Sequence, residues 1–234
     1  AQVVQVVIGR DVPPWLWPKA DGMGEKGSDF GPWKKGHMHA PNDLKAYEEI
    51  VYQLVRHMNV DRKFDVHSFL VWGGVDGTGY FLGSMDDYAR IYTACARAVK
   101  RADPEAKVGG PSPDPFFNPD WVRALVDHCG REGVPLDFVS LHNYSLYAGQ
   151  SRRAAEWTRR LLARHKTLGD VEIHFDEWNS GFVFQPKYQS EFKKSAMNAA
   201  YAAATFGEMT EAGVKYACYS SPAESFGLFG VRLE

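Results

Sequence analysis

Cysteine is scarce and scattered. Cys95, Cys129 and Cys218 are the three that the chain holds, and none forms a CxxC unit. Neither a disulfide framework nor a cysteine metal centre is therefore expected, and three buried thiols is the plain reading. No run approaches the ~18 apolar residues that a membrane-spanning helix needs. Neither sign of charge dominates. Lys and Arg total 27 against 29 Asp and Glu, a formal charge of -2, which argues against a broad basic surface for nucleic acid or an anionic membrane. The dinucleotide-binding turn is missing too: Gly9 is followed by Arg10, Asp11, Val12 and Pro13 instead of a Gly-x-Gly-x-x-Gly loop, and no cofactor is expected. The chain has no initial Met; it begins inside a strand-like run and stops shortly after another. That reads as a piece of a longer protein or a processed product. Apolar and aromatic residues are plentiful. At 44% hydrophobic and 24% charged, with 14 Phe, 11 Tyr and 7 Trp, the chain is globular, and residues 1–234 read as one domain.

Residues 3–8 form a β-branched run, a buried strand. A long Gly- and Pro-rich loop with three Trp follows. Leu44, Tyr47, Val51, Leu54, Val55 and Met58 recur at helical spacing, predicting a helix over 43–58 with Asn42 or Asp43 as its cap. Further strands are expected at 66–72, 107–110, 136–141, 171–175 and 214–219. Helices separate them: one opened by a capping box at Ser84, one by Asn118 and Pro119, a basic one at about 152–166 and an Ala-rich one at about 190–212. Strict βα alternation predicts a parallel sheet covered by helices, either a doubly wound sheet or a (β/α)₈ barrel. Chemistry-capable residues sit past the C-terminal ends of several strands: Trp15, Trp72, His142, Tyr144 and Glu177. That distribution favours the barrel, whose mouth is built there. Six strands cannot close it, so an incomplete TIM barrel is expected, lacking about two βα units upstream.

Strand alternation puts Ile173, Phe175 and Glu177 on one face. The first two are expected to fill the barrel core and leave Glu177 at the mouth, with Trp178 beside it as an apolar ring. A carboxylate next to an aromatic ring suits sugar chemistry, because the carboxylate attacks or stabilises an oxocarbenium-like centre while the ring stacks on C–H faces. A surface glutamate capping the next loop would look the same. The fourth strand aligns Phe138, Ser140, His142 and Tyr144, so His142 and Tyr144 also point to the mouth.

Several segments then fall in a recognisable order: Val71-Trp72-Gly73-Gly74-Val75-Asp76, Val108-Gly109-Gly110-Pro111, Asp137-Phe138-Val139-Ser140-Leu141-His142-Asn143-Tyr144 and Asp176-Glu177-Trp178-Asn179. Together they resemble glycoside hydrolase family 39, the retaining β-xylosidase and α-L-iduronidase family of the (β/α)₈ clan A, over most of the chain. The resemblance implies that the first strand here is the third of the barrel and that residues 214–219 are the eighth. It implies that Glu177 is the nucleophile, and that Trp72, His142, Tyr144, Trp178 and Trp15 bind an oligosaccharide or polysaccharide. It also implies a Trp-Asn-Glu-Pro motif carrying the acid/base at the end of the second strand. Here Trp72 stands, but Gly73, Gly74 and Val75 replace the rest, and Gly74 cannot transfer a proton. Asp76, two positions on, is a weak surrogate for that acid and otherwise an ordinary turn residue.

Lesser features are His37 and His39, two residues apart but without a third metal ligand, so no metal is expected. Trp17 and Trp33 could line a subsite. Arg152, Arg153, Arg159, Arg160 and Arg164 read as a solvated basic face. Glu224 reads as an exposed loop carboxylate. Three functions stay open: a retaining glycoside hydrolase, a catalytically impaired carbohydrate-binding relative, and an α/β scaffold in which Glu177 is structural. The sugar, the linkage and the oligomeric state are not legible.

Overall fold

The computed structural model describes residues 4–9, 12–16, 38–77, 80–113, 118–180 and 192–220. Six strands, β1 (Gln5–Ile8), β2 (Ser68–Val71), β3 (Lys107–Pro111), β4 (Phe138–Tyr144), β5 (Glu172–Asn179) and β6 (Tyr216–Tyr219), form one sheet in sequence order. Every neighbouring pair is parallel, as the βα alternation predicts. The crossovers carry α1 (Leu44–Val55), α2 (Met85–Ala102), α3 (Pro119–Glu132), α4 (Gly149–Leu162) and α5 (Ala196–Glu211). α1 runs on into a π-helical turn, Arg56–Asp61. No described helix is long and apolar enough to cross a membrane.

Local chemistry sets the helix starts. Asp43 Oδ1 accepts from the Lys45 and Ala46 N–H groups, so Asp43 is the cap of α1. Ser84 and Asp87 exchange bonds as a full capping box. Asn118 caps α3 ahead of Pro119, and Gly133 ends that helix at φ 64°, a left-handed turn that glycine takes without steric cost. Close packing of α2 on the sheet also depends on a glycine. A Cβ at Gly110 would lie 2.3 Å from the Tyr88 hydroxyl, which donates to the Val71 carbonyl at 2.9 Å.

The sheet curls. His174 Nδ1 on β5 lies 3.4 Å from Gln5 Oε1 on β1, and the rings of His67, just before β2, and Tyr216 on β6 meet edge-on at 5.4 Å. Strands four places apart in a flat sheet would have axes about 19 Å from each other. Curling gives the sheet two unlike faces. The convex face joins Phe69, Val71, Val108, Val139, Leu141, Ile173 and Phe175 to Val51, Ile91, Val122, Leu125 and Leu161 of the helices in one apolar core. The concave face carries Ser68, Phe138, Ser140, His142, Glu172 and His174. Ile173 and Phe175 therefore do not fill a barrel interior, as strand alternation from the sequence had them doing; they belong to the sheet–helix core.

Candidate active site at the strand ends

With Ile173 and Phe175 facing the helices, simple alternation would send Glu177 there as well. A β-bulge prevents it. Leu141 pairs with Phe175, and the next residue, His142, pairs with Glu177, so Asp176 is an extra residue in β5. The bulge puts Asp176 and Glu177 on the concave side together, as such insertions re-aim side chains in many sheets. Both strands run further than their apolar runs suggest, β4 to Tyr144 and β5 to Asn179.

Glu177 stands open, its side chain 46% exposed. The Tyr144 hydroxyl donates to Glu177 Oε2 at 2.7 Å and lies 3.0 Å from Ser220 Oγ. His142 is buried, with Nδ1 3.9 Å from Glu177 Oε2 and Nε2 3.0 Å from Asp176 Oδ2. Asp176 also accepts from the hydroxyls of Ser112, just past β3, and Ser140 on β4. Burial opposes charge on Asp176, but His142 and the two serines outweigh it and hold the carboxyl below the usual carboxylate range. Ser112 extends the network to the end of β2: its carbonyl accepts from the Gly74 N–H at 2.7 Å. Gly74 is buried with φ 68°. The strand ends of β2, β3, β4 and β5 thus meet in one hydrogen-bonded chain that ends on His142, with the open Glu177 carboxylate 3.9 Å beyond its Nδ1.

A family model described as glycosyl hydrolases family 39 matches residues 15–226. The chain belongs to glycosyl hydrolase family 39. It is 27% identical over 202 residues to a beta-xylosidase of Caldicellulosiruptor saccharolyticus, a match covering 80% of this chain and 39% of that protein. Among solved structures, a glucosidase from Croceicoccus marinus is similar with a TM-score of 0.66 at 26% identity, over 82% of this chain and 43% of that one. A family 39 beta-xylosidase from Caulobacter crescentus shares the fold with a TM-score of 0.69 at 22% identity, over 90% of this chain and 45% of that one. The chain spans less than half the length of each of these relatives.

Within this family 39 chain the structure brings His142, Tyr144 and Glu177 together, as the sequence predicts. Two of the expected sugar-binding tryptophans are elsewhere. Trp72 is fully buried; its indole N–H donates to the Tyr80 carbonyl at 3.2 Å and its ring meets Phe81 edge-on. Trp178 is also fully buried, packed against Tyr201, Phe206 and Tyr219 on the helix side of β5 and β6. The bulge that turns Glu177 inward turns its neighbour outward, so neither ring is a stacking surface. Trp15 is 74% exposed in a short 3₁₀ turn beyond β1 and is free to stack. Asp76 Oδ2 accepts from the Asn118 side chain at 3.3 Å, which engages it with the start of α3.

Other expectations hold in part. The basic face of α4 is solvated, with Arg153, Arg159, Arg160 and, just past its end, Arg164 exposed, and two of its arginines also tie α4 to α5: Arg152 pairs with Glu208 and Glu211, and Arg159 binds the Ala212 and Gly213 carbonyls at the end of α5. Cys95 and Cys129 are buried but Cys218 is exposed. His37, Trp17, Trp33 and Glu224 lie outside the described residues. Sequence reasoning missed Asp176, Ser112 and Ser140. Two consecutive carboxylates at a strand end, where alternation allows one side chain inward, were the available signal. It also missed Lys193, buried with its ammonium on Asn179 Oδ1 and Ser180 Oγ at 2.8 and 2.7 Å; burial lowers it to about 8.

Proposed function

We propose that the chain is part of a retaining glycoside hydrolase domain, β-xylosidase-like, in which Glu177 is the nucleophile and Gly74 occupies the place of the acid/base. The observation that carries this reading is the open Glu177 carboxylate beside His142 and under the Tyr144 hydroxyl, at the C-terminal rim of a curled parallel sheet. Tyr144 holds one carboxylate oxygen by its hydrogen bond and leaves the other for attack. A Glu177 oxygen bonds to the anomeric carbon, the glycosidic bond breaks, and its electron pair leaves with the aglycone. Water then attacks the same carbon and the electrons of the ester bond return to Glu177. Normally a second carboxyl group protonates the aglycone and later deprotonates the water. Gly74 can do neither, and Asp76 is engaged by Asn118. Two further βα units, upstream in the chain, would close the barrel beside β1 and β6 and complete the sugar pocket, to which Trp15 would contribute a stacking ring.

The expected behaviour is a split between substrates. An activated aryl xyloside or glucoside, whose leaving group needs no proton, is hydrolysed slowly by the full-length protein, and natural oligosaccharides are left nearly untouched. Glu177→Gln takes the aryl glycoside rate to background. Aryl glycoside turnover that is indifferent to Glu177→Gln would remove Glu177 from the reaction. The second reading, a catalytically impaired relative that binds carbohydrate, is favoured by the left-handed backbone at Gly74, where a side chain is strained. It is the better reading if calorimetry finds oligosaccharide binding and no aryl glycoside is turned over.

A further inference from the structure

The two carboxylates that the bulge brings inward lie against the two nitrogens of one imidazole. His142 Nε2 is 3.0 Å from Asp176 Oδ2, and Nδ1 is 3.9 Å from Glu177 Oε2. Asp176 is otherwise ringed by donors, the hydroxyls of Ser112 and Ser140. Two hydroxyl donors converging on Oδ1 suit the ionised, acceptor-only form, which leaves Oδ2 as an acceptor facing the ring. His142 Nε2–H therefore donates to Asp176. A neutral ring would then turn the lone pair of Nδ1 towards the Glu177 oxygen, two negative edges in a site shielded from solvent on one side. A proton on Nδ1 converts that repulsion into attraction.

We propose that Asp176 is a positioning residue of the active site: it fixes His142 with Nε2–H inward and keeps the ring a cation whose Nδ1–H faces Glu177. This rests on Glu177 being the nucleophile. The depressed acidity range of Asp176 agrees with a permanent negative charge there. Among the described residues, groups near the ring come from three directions. β5 supplies Asp176 and Glu177. β4 supplies the Tyr144 phenol, its ring centroid 6.5 Å away. From β6 comes Cys218, exposed overall, whose thiol is pushed up first by partial desolvation and then by Asp176. Among the described residues, His142 is the cation-capable side chain within ion-pair reach of either carboxylate. A fixed cation beside Glu177 stabilises the negative charge that returns to its oxygen when the bond to the sugar breaks, and no proton moves in that step.

Asp176→Asn isolates the effect, because the amide keeps the shape and loses the charge. With its oxygen on the serines, its NH₂ group faces His142 Nε2, which must then accept, and the ring carries its proton on Nδ1 instead. A buried carboxylate that sets a histidine tautomer in this way is the arrangement known from hydrolase triads. The test is ¹⁵N-resolved imidazole NMR of the full-length protein, the His142 signals identified by their loss in His142→Gln. At about pH 7 the wild-type ring should be protonated on both nitrogens, and in Asp176→Asn it should be neutral with the proton on Nδ1. With an activated aryl glycoside, Asp176→Asn should lower kcat by at least about 10-fold with KM within about 3-fold. The alkaline limb of kcat should move to lower pH, since losing the anion makes the imidazolium easier to deprotonate. A neutral wild-type ring at that pH, or the same ring state in both proteins, overturns the proposal, and if the Asn variant does not fold the wild-type spectrum decides alone. Glu177→Gln separates the two readings. Persisting turnover in that variant rejects the nucleophile but not the state of His142, and lost turnover with a neutral wild-type ring rejects the proposal but not the nucleophile.

Discussion

At the scale of one residue, Gly74 shows why supplying the acid that the proposed function calls for takes more than the group itself. Its φ of 68° is left-handed backbone, which costs an L-residue about 1–2 kcal/mol. Its N–H is held by the Ser112 carbonyl and its own carbonyl accepts from Gly77, so the loop is fixed in that shape. A glutamate placed there alone has either to bear the strain or to break the loop. Gly73→Asn meets open space, with nothing within 4 Å of an added Cβ. Val75→Pro pushes the preceding residue into extended backbone, which is incompatible with the present turn and rebuilds it. Gly74→Glu alone is therefore expected to raise turnover of an unactivated glycoside less than about 10-fold. The triple change should approach the about 10²–10⁴-fold typical of general acid catalysis. Steady-state kcat/KM on both variants checks this. Equal gains would show that the loop is no obstacle, and no gain in either would show that position 74 is not where the acid belongs.

At the scale of the element, β5 decides what could be read in advance. The order of six parallel strands was legible because β-branched runs alternate with capped helices, and each cap is a local signal: Asp43, Ser84, Asn118 with Pro119. Glu177 lies on the concave side at the strand ends, but not for the reason that the sequence offered. Period-2 alternation carried it inward beside Ile173 and Phe175, whereas those two face the helices and the bulge at Asp176 reverses the sense. Beyond the two consecutive carboxylates a bulge leaves no trace in composition, so the outward turn of Trp178 was illegible. Trp72 failed for a related reason, since it sits at φ 60°, past the point where strand alternation applies. The contrast between buried and exposed tryptophans is testable. Trp178→Ala removes a fully buried ring and should cost about 3–5 kcal/mol in urea-unfolding stability, with little change in oligosaccharide affinity of whatever remains folded. Trp15→Ala, at 74% exposure, should leave stability within about 0.5 kcal/mol and weaken sugar binding. The opposite pattern would return Trp178 to the site.

At the scale of the molecule, the concave face carries a second polar cluster below the candidate site, where the strands begin. His174 stacks flat on Phe138 at 4.3 Å, donates to Glu172 at 3.0 Å and meets Gln5 across the curl, while Lys107 pairs with Glu172. These bonds join β1, β3 and β5 through the interior, so the curvature that places Glu177 depends on their charge states. Burial lowers His174 below its ordinary value of 6.5, although Glu172 opposes the shift. The unfolded chain then takes up that proton first as pH falls through 6.5, and stability drops with it. Glu172 is a depressed carboxyl in which burial is outweighed by Lys107 and His174, and Asp176 is another. Their stabilisation is present above their ordinary values of 4.5 and 3.8 and is lost as pH falls further. All three groups act in the same direction, so the urea midpoint should fall in two stages, first below about pH 6.5 and again below about pH 4.5. His174→Phe keeps the stack on Phe138 and the Lys107–Glu172 pair but removes the titrating ring. It should shrink the first stage, leaving the part contributed by His39 and His128, which burial also lowers, and preserve the second. A first stage unchanged in His174→Phe would assign it to another group and leave the interior cluster without a part in holding the curl.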